Sequence, residues 1–222
     1  MVCRVFLIRH GETLWNSEMR FQGHADVPLS EAGVVQAKAL GRRLAGQQIA
    51  AVYSSDLGRA LETAREIALP RGMEITTVPE LREMNFGSWE GLSFKEIKQD
   101  YGELLQQWWA DPLGITIPGG EGLQDLASRV VSALRGIVAR HPGEKVAVVC
   151  HGGPVRCLVS SVLGMDLIRY WKIRQDNAAL NILDFPEDWD NGVVMRLNDR
   201  SHLDGDLEME YAKSMQNRPR RK

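Results

Sequence analysis

The chain has 222 residues, 44% hydrophobic and 25% charged, with 27 Lys plus Arg against 29 Asp plus Glu. That is the size of one soluble domain, and a formal charge of -2 removes the broad basic field that nucleic acid or an anionic membrane would require. The longest apolar runs, such as Ile49 to Tyr53 and Val146 to Cys150, are strand-length, far short of the roughly 20 residues that span a bilayer.

Met1 to Arg4 lead straight into an apolar strand with none of the features of a secretory signal, so a cytoplasmic protein is expected. Val5-Phe6-Leu7-Ile8 is apolar without alternation, the pattern of a strand covered on both faces, and it stops abruptly at Arg9-His10-Gly11. Ser30 is a candidate N-cap for a helix through Leu44 with Val34, Ala37, Leu40, Gly41 and Leu44 on one face. A second buried strand, Ile49 to Ser54, follows. Ser55 or Asp56 can cap a helix running to Ala68, Pro70 ends it, and Glu74 to Val78 reads as a third strand. The pattern then loosens into a helical excursion over about 86–122, which carries Trp89, Trp108 and Trp109 and passes over the sheet edge.

From Glu121 a helix with apolar Leu123, Leu126, Val130, Leu134 and Val138 reaches Arg140 and is stopped by His141-Pro142-Gly143. The strand Lys145 to Cys150 comes next and turns at His151-Gly152-Gly153-Pro154 into a helix through Leu163. Ala179 to Phe185 and Val193 to Leu197 form an antiparallel hairpin at the edge. The alternation predicts an α/β fold: a mostly parallel central sheet, helices on both faces and an antiparallel edge strand. One domain is expected over 1–198, followed by a polar tail, 199–222, expected to be disordered. Cys3, Cys150 and Cys157 form no C-x-x-C and lie in or beside apolar segments, as packed, reduced thiols do.

Two strand ends deliver a His followed by Gly, at His10 and His151. Ligands bind at the carboxyl ends of strands in such sheets, so the two imidazoles can face one crevice. A lone loop histidine is more often a solvated group. The shared strand-end position sets these two apart from His24, His141 and His202; His141, next to Pro142-Gly143, reads as a helix C-terminal residue favoured by the dipole. Arg9 stands beside His10, and Arg59 opens the helix after the second strand. Guanidinium forks match phosphate oxygens and imidazole can accept a phosphoryl group, so this set points to phosphoryl chemistry. A rival lies in Cys150-His151-Gly152-Gly153-Pro154-Val155-Arg156, a C-x-x-G-x-x-R run between strand and helix, with Asp111-Pro112 as a possible acid. His10-Gly11-Glu12 matches only half of a zinc deaminase signature, and no metal or other cofactor is expected.

Four ordered blocks resemble the histidine phosphatase (phosphoglycerate mutase-like) superfamily. They are Leu7-Ile8-Arg9-His10-Gly11-Glu12-Thr13 with Asn16 and Pro28 to Gly33; Ser54 to Ala64; Leu81-Arg82-Glu83; and Val149-Cys150-His151-Gly152-Gly153. The resemblance implies that His10 is the nucleophile, that Arg9, Arg59 and His151 hold the phosphoryl oxygens with help from Asn16, and that Glu83 is a general acid and base, a role that calls for a raised pKa. Without it, Glu83 reads as a surface carboxylate paired with Arg82. The context Leu81 to Leu92 resembles the phosphatase branch, including broad-specificity and α-ribazole-5′-phosphate phosphatases, more than the mutases, which are longer before the last His-Gly block. Specificity is expected from the excursion, whose tryptophans either stack on a leaving group or cover the sheet edge, and from Phe21-Gln22-Gly23. The substrate-binding set is thus Arg9, Asn16, Gln22, Gly23, Arg59, Glu83, His151 and Gly152. The expected partner is a small phosphomonoester, with no nucleic acid and no membrane, and a homodimer is left open. Phosphoglycerate mutase-type transfer and a silent phosphate-binding protein are the alternatives.

Overall fold

A computed structural model of the chain describes residues 1–186 and 188–203. Its sheet has six strands: β1 (Cys3–Arg9), β2 (Ala51–Ser54), β3 (Ile75–Thr77), β4 (Lys145–Cys150), β5 (Leu180–Phe185) and β6 (Val193–Asp199). They are ordered β3-β2-β4-β1-β5-β6. β1, β2, β3 and β4 pair in parallel, β5 runs antiparallel to β1, and β6 is antiparallel to β5. The unbroken apolar run of β1 has its cause in this central position. Cys3, Val5 and Leu7 enter the core beneath one helical layer, and Phe6 and Ile8 enter the core beneath the other.

Helices α2 (Glu31–Leu44) and α3 (Gly58–Ala68) pack on the face holding Phe6 and Ile8. Three short helices complete the set: α1 (Leu14–Ser17) after β1 and, in the excursion, α4 (Phe94–Asp100) and α5 (Gly102–Ala110). The long α6 (Leu123–Arg140) and α7 (Gly152–Val162) cover the opposite face. Ser30 caps α2 as its sequence suggests, its hydroxyl accepting the Gly33 N–H at 3.0 Å. α3 differs from expectation. It starts at Gly58, and neither Ser55 nor Asp56 caps it; the Gly58 N–H donates to the carboxylate of Asp26 at 2.8 Å, a residue distant in sequence. Asp56 instead forms an ion pair with Arg82.

β6 continues past Leu197 to Asp199, which accepts the Ser201 N–H at 2.9 Å and pairs with Arg196 at 2.7 Å. The His202 Nε2–H donates to the Ala178 carbonyl at 3.0 Å. Residues 199–203 therefore belong to the fold, contrary to the expected start of a disordered tail at 199. The rest of that expectation, 204–222, lies outside the described residues. No helix among the described residues is long and apolar enough to cross a membrane.

Candidate active site

The parallel register of β1 and β4 sets Arg9 opposite Cys150, so His10 and His151 leave the sheet side by side. The His10 N–H donates to the Cys150 carbonyl at 3.0 Å, and the two imidazoles meet edge to face with centroids 5.0 Å apart. A carbonyl can only accept, so the 2.7 Å contact between His10 Nδ1 and Gly11 O puts the ring proton on Nδ1 and leaves Nε2 with its lone pair. Burial, then the charges of Arg59 and Arg9, hold the His10 pKa well below the usual imidazole value. His151 is fixed in the other tautomer. Its Nδ1 accepts from Arg59 Nε at 3.3 Å and its Nε2–H donates to the Ser55 hydroxyl at 2.9 Å. Burial and the same arginines, with His10, depress its pKa as well.

At pH 6 an ordinary imidazole is mostly protonated, whereas His10 and His151 are expected to be neutral in 15N spectra, His10 as the Nδ1–H and His151 as the Nε2–H tautomer. The unfolded chain takes up protons near pH 6.5 that the native state refuses, so stability falls as the pH drops below that point. Titration of both rings at or above 6.5 would contradict the electrostatic picture.

Both guanidiniums are gripped by backbone. Arg59, fully buried, donates to the Ala25 and Gly23 carbonyls at 2.8 and 2.7 Å, and its burial pushes its pKa down to about 10. Arg9 donates from Nη1 to the Gln175 carbonyl at 2.8 Å, and its buried Nε has no hydrogen-bond partner among the described residues. Burial, then the neighbouring Arg156, also lowers it to about 10. Both remain cationic at neutral pH. The loop that grips Arg59 is tied by Glu90, whose carboxylate accepts the N–H groups of His24, Ala25 and Phe86 at 2.8, 2.9 and 3.2 Å. A side chain on Gly23 would collide with that carboxylate.

Glu83 lies across the crevice at the N-terminus of α7, both carboxylate oxygens accepting the Gly153 N–H at 3.0 and 3.1 Å. It is not paired with Arg82, which is engaged by Asp56. Its main chain is clamped. Arg129 donates to the carbonyls of Glu80, Arg82 and Glu83 at 2.6, 2.7 and 2.8 Å, and His24 Nε2–H to that of Glu83 at 3.0 Å. A Cβ on Gly153 would collide with Glu83 Oε1. Gly153→Ala is therefore expected to displace the carboxylate and lower kcat at least tenfold while the melting temperature moves by only a few degrees. Unchanged kcat in a folded variant would count against the position assigned to Glu83.

Asn16 closes a capping box with Thr13, and its Oδ1 accepts from the Thr13 N–H at 3.1 Å and from Asn177 Nδ2 at 2.9 Å. With the oxygen engaged twice, its amide N–H groups are the end without a partner among the described residues. Gln22 is buried and accepts the Thr13 hydroxyl at 2.7 Å, with no described partner for its Nε2. Gly152 sits where Arg9, Glu83 and Arg156 converge. The predicted set thus gathers at one strand end.

Several neighbours escaped the sequence reading. The sequence offers Ser55, with Asp56, only as a candidate helix cap and gives His24 no strand-end position, and Asn177, Glu90, Arg129 and Gln175 carry no signal because their contacts are tertiary. Trp89 and Trp108 are fully buried and pack edge to face at 5.4 Å within the core, so they cannot stack on a ligand. Asp111 accepts the N–H groups of Leu113 and Gly114 at 3.3 and 3.0 Å, closing its own loop. Cys150 ends the row Val146, Val148, Cys150 in the core under α6 and α7, and burial followed by the charge of Glu83 pushes its thiol well above the usual range. That is the opposite of what a nucleophilic thiolate needs. Among the described residues no three His, Cys, Asp or Glu side chains are grouped to hold a metal ion.

The fold and its imidazole- and guanidinium-lined strand end are those of the phosphoglycerate mutase-like class of α/β enzymes. The chain belongs to the histidine phosphatase superfamily (branch 1), whose model matches residues 5–200. It is 34% identical over 212 residues to phosphoserine phosphatase 1 of Hydrogenobacter thermophilus, covering 96% of this chain and 99% of that one. It is 36% identical over 204 residues to a Yersinia pestis protein named "Probable phosphoglycerate mutase GpmB", covering 90% of this chain and 95% of that one. The solved α-ribazole phosphatase of Shigella flexneri superposes with a TM-score of 0.81 at 30% identity, covering 89% of this chain and 96% of that one. By this kinship the chain is an enzyme of the phosphatase class.

Proposed function

We propose that the protein is a phosphomonoesterase that hydrolyses a small phosphorylated metabolite through a phosphohistidine on His10. The observation that carries this reading is the Nδ1–H bond of His10 to Gly11 O, which leaves an unprotonated Nε2 beside His151, Arg9 and Arg59. The Nε2 lone pair attacks phosphorus, the ester P–O bond breaks, and its electron pair leaves on the alcohol oxygen, which takes a proton from the Glu83 carboxyl. Water then attacks phosphorus and gives its proton to the Glu83 carboxylate, the N–P bond breaks, and inorganic phosphate departs with the imidazole restored. Arg9, Arg59 and His151, with the Asn16 amide, offset the charge of the equatorial oxygens, so the residues present account for each step without assigning one to a metal.

The test is hydrolysis of p-nitrophenyl phosphate in EDTA by wild type, His10→Ala and Cys150→Ser. Activity that disappears with His10 and survives in Cys150→Ser supports the reading. Activity that disappears only with Cys150 overturns it, and a wild type that interconverts phosphoglycerates faster than it hydrolyses any ester would move the assignment to a mutase.

A further inference from the structure

Arg156 has no place in the reaction just described, yet its guanidinium lies at the edge of the same crevice. It follows Gly152 by one turn of α7, so its side chain runs back over the helix N-terminus. A Cβ built on Gly152 would lie 3.1 Å from Arg156 Nη1, 3.5 Å from Arg9 Nε and 3.7 Å from Glu83 Oε2, so these three groups surround one point. The guanidinium is held from behind. Its Nε donates to the Ile173 carbonyl at 2.9 Å and its plane lies over the Trp171 ring at 5.3 Å. The two Nη groups have no hydrogen-bond acceptor or ion-pair partner among the described residues.

Two cations placed this close, with the buried Arg9 Nε unpartnered and a fixed fork beside it, form an arrangement that a bound anion would relieve. His10 feels chiefly Arg59 and Arg9, whereas Arg156 stands by Arg9 and Glu83. With Glu83 as the acid of the proposed reaction, that is the side on which the alcohol leaves. We infer that Arg156 is a specificity residue whose Nη fork binds a carboxylate carried by the alcohol within two or three bonds of the ester oxygen, making the substrate a short phosphorylated hydroxy or amino acid. The inference rests on the phosphatase reading above. The spacing is short because Glu83, which protonates the ester oxygen, and Arg156 share the same point, and the planar two-oxygen carboxylate suits the two parallel Nη donors.

The experiment uses two matched pairs of esters that differ in the carboxylate: O-phosphoserine with O-phosphoethanolamine, and 3-phosphoglycerate with glycerol 3-phosphate. Wild type is expected to prefer the carboxylated member by kcat/KM. In Arg156→Gln that preference ratio falls about 10- to 100-fold, the range of a lost charge-assisted bond, mostly through KM, and Arg156→Lys restores part of it. A purely structural role predicts instead that both members fall together with the melting temperature. Equal losses on both members of each pair, or a wild type without preference, overturn the inference. Hydrolysis of p-nitrophenyl phosphate that depends on His10 stands by itself, so an unchanged ratio counts against Arg156 alone.

Discussion

His10→Ala is expected to lower kcat by about ten-thousand-fold or more on every phosphomonoester the wild type hydrolyses, because on the proposed reaction it removes the covalent nucleophile and leaves only binding and electrostatics. The loss should not be a folding defect. Among the described residues His10 makes one side-chain hydrogen bond, to Gly11 O, and Asn177 Nδ2 already approaches that oxygen at 3.4 Å, so the carbonyl keeps a donor when the ring is gone. The remaining cost is a small buried cavity, about 1–3 kcal/mol, within the margin of a stable domain. Steady-state rates paired with a thermal melt separate the two effects. A folded His10→Ala enzyme with a tenth of wild-type activity would require another nucleophile.

Glu83→Gln is expected to act in a way that depends on the leaving group. Glutamine keeps the shape and can still accept the Gly153 N–H, but it can neither give nor take a proton. On alkyl phosphates, whose alkoxide must be protonated as it leaves, kcat should fall about 100- to 10,000-fold. On p-nitrophenyl phosphate the departing phenolate needs little help, so the first step survives and dephosphorylation, which needs the carboxylate as base, becomes slow. The result is a burst of one nitrophenolate per active site before a slow steady state. Equal losses on both ester types with no burst would remove Glu83 from proton transfer.

The placement of His10 and His151 was readable because the signals are local: an apolar strand, an abrupt end, a His-Gly pair. Their pairing followed once β1 and β4 were taken as parallel, and the register of Arg9 with Cys150 is the physical form of that expectation. The resemblance, not periodicity, brought Glu83 and Asn16 to the site. What held them there was invisible in the sequence. Arg129 reaches carbonyls around Glu83 from α6, Asn177 reaches Asn16 from the approach to β5, and Ser55 bonds His151 across the sheet edge. None of these contacts has a sequence period. The cap of α3 shows the same limit, since the chain offers Ser55 and Asp56 nearby while the Gly58 N–H is met by Asp26. The tryptophans of the excursion leave two readings open, and only packing decides between them: Trp89 is sealed against Phe21, Trp108 against Phe86, and the two against one another.

The most direct test of a phosphohistidine is to catch it. Glu83→Gln enzyme mixed with p-nitrophenyl phosphate and quenched in alkali during the burst should carry one phosphoryl group, and peptide mapping should place it on His10, with none in the Glu83→Gln, His10→Ala double variant. A phosphoryl group on Cys150, or a burst with label on neither residue, would contradict the account.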